Sequence, residues 1–108
     1  MKKNKYVIEK DTIVEVYKVF GNEQYFAIAE INGRYPQPGK IAHDINRQEY
    51  IYVLTGEILV SINGQQHSLK PEDTCLIKED DKYYIQGTGK VLVFVKDGED
   101  GTSKLEPS

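Results

Sequence analysis

The chain has 108 residues, 39% of them apolar and 29% charged, with a formal net charge of −3. That size suits one domain, and the mild acidity argues against nucleic acid, since the only basic cluster is Lys2, Lys3 and Lys5. No apolar run approaches a membrane span, none follows those lysines as a signal peptide requires, and the one cysteine, Cys75, cannot form an internal disulfide. A cytoplasmic protein without membrane or nucleic-acid partners is the expectation.

Tyr6-Val7-Ile8 reads as a short edge strand, and Thr12 to Phe20, rich in β-branched and aromatic residues, as a full one. Gly21-Asn22 supplies a turn into the return strand Gln24 to Ile31, which Asn32-Gly33 ends. Pro36, Pro38 and Gly39 mark an ordered loop. Glu49 to Leu54 is the next strand, Thr55-Gly56 its turn, and Glu57 to Ile62 the partner, with Ile58, Val60 and Ile62 on one face. Asn63-Gly64 closes a tight hairpin into Gln65 to Leu69, and Pro71-Glu72-Asp73 turns the chain into Thr74 to Lys78. After the charged tip Glu79 to Lys82 come Tyr83 to Gln86, a Gly87-Thr88-Gly89 turn and Lys90 to Lys96. This places the domain at residues 1–96, with 97–108 as a mobile tail unless Leu105 docks on a partner. Many short strands, regular turn signals and no helical spacing predict an all-β sandwich or barrel.

The stretch from Pro38 to Gly64 resembles the cupin family, small barrels of the double-stranded β-helix or jelly-roll type. His43, Glu49 and Gly56 stand at the first histidine, the glutamate and the closing glycine of that family's first motif, and Ile45 at its second histidine. Leu69 to Ile77 resembles the turn and strand of the second motif, with Asp73 at the usual aspartate and Tyr83 at the later metal-binding histidine. The resemblance implies a cupin barrel, a commonly homodimeric assembly and a site where imidazole and carboxylate hold a divalent Mn, Fe, Ni or Zn ion. Of that ligand set only His43 and Glu49 are in place, two ligands where such an ion normally needs more. Tyr83 could ligate only as phenolate, far from its usual ionisation range.

The candidate pocket is therefore bordered by His43, Glu49 and Tyr83, with Arg47 and His67 as further ligand-binding candidates. The plain reading of His43 is a hydrogen-bonded histidine near the barrel mouth, and of Glu49 a rim residue or a partner for Arg47 or His43. His67 shares parity with Leu69 and could face inward, while Cys75 reads as a buried, inert thiol. Three functions stay open. One is a binding protein for a small polar molecule, sugar- or carboxylate-like, with a reduced or absent metal site. Another is an enzyme, either a metal-dependent oxygenase or isomerase or a metal-free sugar isomerase or epimerase using His43, Glu49 and Tyr83. The third is a partner-binding role through Tyr50 and Tyr52, which share a strand face suited to a dimer surface.

Overall fold

The computed structural model describes residues 26–108 in full and, before them, the backbone pairing of 2–9, 12–18 and 24–25. The strands are β1 (Lys2–Glu9), β2 (Thr12–Lys18), β3 (Gln24–Tyr35), β4 (Lys40–Ile62), β5 (Gln65–Leu69), β6 (Thr74–Ile77) and β7 (Lys82–Pro107). All pairings are antiparallel, in the order β1-β2-β3-β7-β4-β5, with β6 also on β4. The all-β expectation holds, and no helix occurs among the described residues. The Gly21-Asn22 turn and the end of the Thr12 to Phe20 strand lie outside the described residues.

Strand lengths differ most from the sequence reading. Thr55-Gly56 and Gly87-Thr88-Gly89 are not hairpin turns but the interiors of two long strands that face each other, Gly56 opposite Gly89 and Ile58 opposite Gly87. Glycine serves there for close approach as well as for its positive φ: a Cβ on Gly56 would run into the Thr88 carbonyl oxygen. β3 likewise passes straight through Asn32-Gly33, whose partners are Thr88 and Gly87. Only Asn63-Gly64, both at positive φ, makes the tight hairpin its residues announce.

β4 and β7 form one long ribbon that curls on itself. Lys40 pairs with Pro107 at one end and Ile62 with Tyr83 at the other, and Ala42 and His43 meet both Leu105 and Lys104 and also Tyr83 and Lys82. That return contact closes the curl. It also places residues 102–107 in the sheet, opposite Lys40 to Ile45, where the sequence reading had set a tail apart from the barrel at residue 97. The lone polar stretch gave no strand signal because half of each pairing lies in β4.

Two irregularities in β4 decide which side chains face inward. Ala42 and Asp44 are buried, then Ile51 and Val53, then Ile58 and Val60. The buried set thus changes from even to odd and back to even, and the ladder shifts register at Ile45/Arg47 and again at Val53/Thr55. Each is a β-bulge, which inserts one residue and reverses the facing of all that follows. The interior these faces enclose is built from Ala27, Ala29, Ile31, Ile51, Val53, Ile58, Val60, Ile77, Val91, Val93 and Val95. Burying each valine or isoleucine contributes about 1.5–3 kcal/mol.

Candidate functional site

The first bulge centres on Asn46, at φ 52°, a conformation asparagine tolerates better than most residues. Opposite it, β7 needs four residues, 98–101, between Asp97, the partner of Arg47, and Thr102, the partner of Ile45. Asn46 Nδ2 donates to the Glu99 carbonyl at 3.1 Å. Gly101 packs so close that a Cβ there would lie 2.6 Å from the Asn46 carbonyl oxygen. The bulge is thereby locked from both strands.

Its consequence is chemical. Before the bulge, even-numbered residues face in; after it, odd-numbered ones do. Asp44 and Glu49, one on each side, therefore point into the same interior, and Tyr83 joins them where the ribbon closes. Asp44 is wholly inaccessible and Tyr83 is 3% exposed. The Tyr83 hydroxyl donates to Glu49 Oε2 at 2.8 Å and lies 3.3 Å from Asp44 Oδ1. Asp44 Oδ2 is buried with no hydrogen-bond partner, and so is Ser103 Oγ on the residue directly opposite Asp44. Ser103 Oγ lies close to the Tyr83 hydroxyl and favours its ionised form, though without the distance and angle of a full hydrogen bond.

Burial pushes the Glu49 carboxyl well above its ordinary range, a side-chain hydrogen bond with Asp44 and the nearby Asp44 charge push it further, and the Tyr83 hydrogen bond and the Arg47 charge oppose the rise. Water still reaches part of Glu49. The Tyr83 phenol is raised far above its usual value, first by burial and then by the charges of Glu49 and Asp44, so it is a neutral donor. Arg47, on the same side as Glu49, is held by Asp97 at 2.6 Å.

The other sequence candidates are elsewhere. His43 falls before the bulge on an odd position and faces outward, with Nδ1 2.7 Å from Glu106 Oε1 and Nε2 3.4 Å from Asp80 Oδ1. The Glu106 hydrogen bond raises the His43 pKa against a smaller lowering by burial. Glu106 in turn is held below its ordinary range by His43, with Lys82 adding to the effect from 3.4 Å. His67 is exposed on β5, where its register partner is Val60. Cys75 is half-buried, and burial raises its thiol above the ordinary value. Glu49 and Tyr83 thus converge, Arg47 borders them, and His43 and His67 do not join them. Asp44 and Ser103 went unread in the sequence; the one available signal was Asn46, a residue apt for positive φ inside an otherwise strand-like run.

This donor set does not fit the imidazole–carboxylate metal centre that the sequence resemblance implies. Both ring nitrogens of His43 face carboxylates on the outer surface, Ile45 offers no lone pair, and Tyr83 is far from phenolate. Among the described residues, no three histidine, cysteine, aspartate or glutamate side chains are grouped to hold an ion. No described helix is long and apolar enough to cross a membrane. A separate shallow groove of about 360 Å³ between Glu57, Leu59, Ser68, Lys70 and Gln86 contains none of the candidates.

No family model and no curated protein matches the chain by sequence. Solved structures do match it in shape. Streptomyces Pac13, described as a nucleoside dehydratase, matches with a TM-score of 0.81 over 97% of this chain and 85% of its own, at 9% identity, and variants of it with uridine match equally. Salicylate 1,2-dioxygenase of Pseudoaminobacter salicylatoxidans, with gentisate, gives 0.74 over 94% of this chain and 31% of its own at 13% identity. KdgF from Halomonas sp. gives 0.68 over 90% and 91% at 13% identity. These are cupin-fold proteins, and the chain shares their β-barrel fold.

Proposed function

We propose that the chain binds a small polar molecule inside the barrel, at the polar cluster of Glu49, Tyr83 and Asp44. The observation that carries this reading is the placement of two carboxyls and a phenol together in an interior that is mainly aliphatic among the described residues. Buried polar groups are costly to folding, so a cluster without full internal pairing is expected where a ligand completes it. Uridine, present with Pac13 variants, is a fitting first probe because it is uncharged and carries several hydroxyls. In isothermal titration, uridine or a simple sugar is expected to bind, and Tyr83→Phe and Glu49→Gln each to weaken binding by about tenfold or more, the worth of one hydrogen bond to a charged or buried partner. Failure of uridine and of a panel of neutral sugars to bind would overturn the reading.

A second reading is acid–base chemistry on such a ligand. Glu49, its carboxyl raised by burial and by Asp44, beside a neutral Tyr83, has the character of a proton donor above the ordinary carboxylate range. Turnover lost in Glu49→Gln while binding persists would distinguish enzyme from binder. A homodimer completes the proposal, formed through the outer face of β4 and β7. There Tyr50, 47% exposed, pairs in register with Phe94, 39% exposed, and Tyr52 with Leu92. Tyr50→Glu and Tyr52→Glu are expected to shift the protein to monomer in light scattering, and an unchanged mass would count against this surface.

A further inference from the structure

Four side chains from four separate stretches of the ribbon meet inside the barrel. Asp44 comes from β4 before the bulge, Glu49 from β4 after it, Tyr83 from the start of β7 and Ser103 from its last arm. The Tyr83 oxygen lies 2.8 Å from Glu49 Oε2 and 3.3 Å from Asp44 Oδ1, so two carboxyls converge on it. Glu49 and Asp44 also share a side-chain hydrogen bond, which exists only while one of the two carboxyls carries a proton. Ser103 Oγ stands beside the same phenol. Asp44 is wholly inaccessible and Tyr83 is 3% exposed, so these groups meet one another and little water.

Buried carboxylates are paired or coordinate a metal, so a point where two of them converge is a natural seat for a cation. Here the phenol oxygen fills that point. A zinc-like ion needs carboxylate oxygens at about 2.0–2.2 Å, and the space between Tyr83 and its two partners is taken up by hydrogen bonds instead. Such an ion would also need both carboxyls ionised, whereas the Glu49–Asp44 bond depends on a proton. The surroundings add no ligand: Ile77 and Val95 flank Glu49 in register, Ala42 and Ile62 flank Tyr83, and His43 faces outward between Glu106 and Asp80. We propose that the Tyr83 hydroxyl takes the place of a metal ion in this barrel, and that protons shared among Tyr83, Glu49 and Asp44 tie the two ends of the curled ribbon without a cation. This goes beyond the binding function and holds whether or not a ligand reaches Glu49.

Three measurements test it, none needing a ligand or an activity. Wild-type protein incubated with Mn, Fe, Ni or Zn and passed through gel filtration is expected to keep far less than one ion per chain, and to melt at the same temperature in Zn as in EDTA. One ion per chain that disappears in Glu49→Gln or Asp44→Asn would overturn the proposal. Tyr83→Phe keeps the ring and removes only the bridging O–H. It is expected to melt lower by about 5–10 °C, because buried carboxyls lose a donor; a variant melting like the wild type would show that the hydroxyl is not the tie. Tyr83→His is the converse. An imidazole is shorter than a phenol by roughly a Zn–N bond, about 2.0–2.1 Å, so it vacates the point where the carboxyls converge and offers a third ligand to it. This variant is expected to retain about one Zn per chain, to lose it when Glu49→Gln is added, and to melt higher in Zn than in EDTA by about 5 °C or more. A folded Tyr83→His that takes up no metal would mean that the carboxyls do not converge on an ion's seat. If that variant does not fold, the wild type and Tyr83→Phe still decide the matter.

Discussion

Asp44 and His43 are neighbours in sequence and opposites in environment. The Asp44 side chain is wholly inside the barrel and leaves one oxygen without a partner. His43 is on the outer surface, held between Glu106 and Asp80. By residue type the histidine is the more suggestive of chemistry, yet its nitrogens serve to fasten the last strand to β4. The aspartate, an unremarkable letter in the sequence, is the wholly buried carboxyl of the interior. Alternation with period two sets the two neighbours on opposite faces, and the bulge at Asn46 decides that Asp44, not His43, shares the interior with Glu49.

The comparison breaks most severely if the bulge itself is removed. Gly101→Val would drive a branched side chain into the Asn46 carbonyl and the Asp97 side chain. It is expected to cost about 2–3 kcal/mol, read as a drop in the denaturation midpoint, and to abolish ligand binding with it. A variant of wild-type stability would mean that the loop gives way freely and does not lock the facing of Asp44.

On the inner side, Glu49→Gln sharpens the contrast through pH. The folded Glu49 carboxyl is raised above its ordinary value of 4.5, mainly by burial and by Asp44. The folded state therefore holds its proton where the unfolded state has released it, so the wild type loses stability as pH rises from about 4.5 through the folded value. Glutamine is spared that loss. The variant is expected to match the wild type near pH 4 and to melt several degrees higher at pH 8; a constant difference across that range would refute the assignment.

On the outer side the effect is smaller. His43 has a raised folded pKa, so its tie to Glu106 contributes fully below the ordinary value of 6.5 and is lost as pH rises through the folded value. His43→Ala is expected to lower the melting temperature by about a degree or two at pH 6 and by less at pH 9, and to leave the proposed interior binding unchanged. Loss of binding in this variant would return His43 to the site.

The fold was legible in the sequence from features that act locally. β-branched alternation, the Asn63-Gly64 hairpin and the turn at Pro71-Glu72-Asp73 each specify backbone shape within a few residues, and each is in place. Glu49 was also legible, since a carboxylate opening an apolar strand must find a partner, and that partner proved to be Tyr83. The glycines of Thr55-Gly56 and Gly87-Thr88-Gly89 misled because the same residue serves a turn and a close crossing of two strands, and only the crossing partner tells them apart. Asp44 was hidden for a related reason. Its facing depends on how many residues the opposite strand inserts between Asp97 and Thr102, more than fifty positions away in the chain. Residue types and their spacing determined that this protein would be an all-β barrel with Glu49 and Tyr83 as polar candidates. Which of His43 and Asp44 enters that barrel was decided by tertiary pairing alone, because facing in a strand is counted from its bulges and a bulge is a property of two strands together.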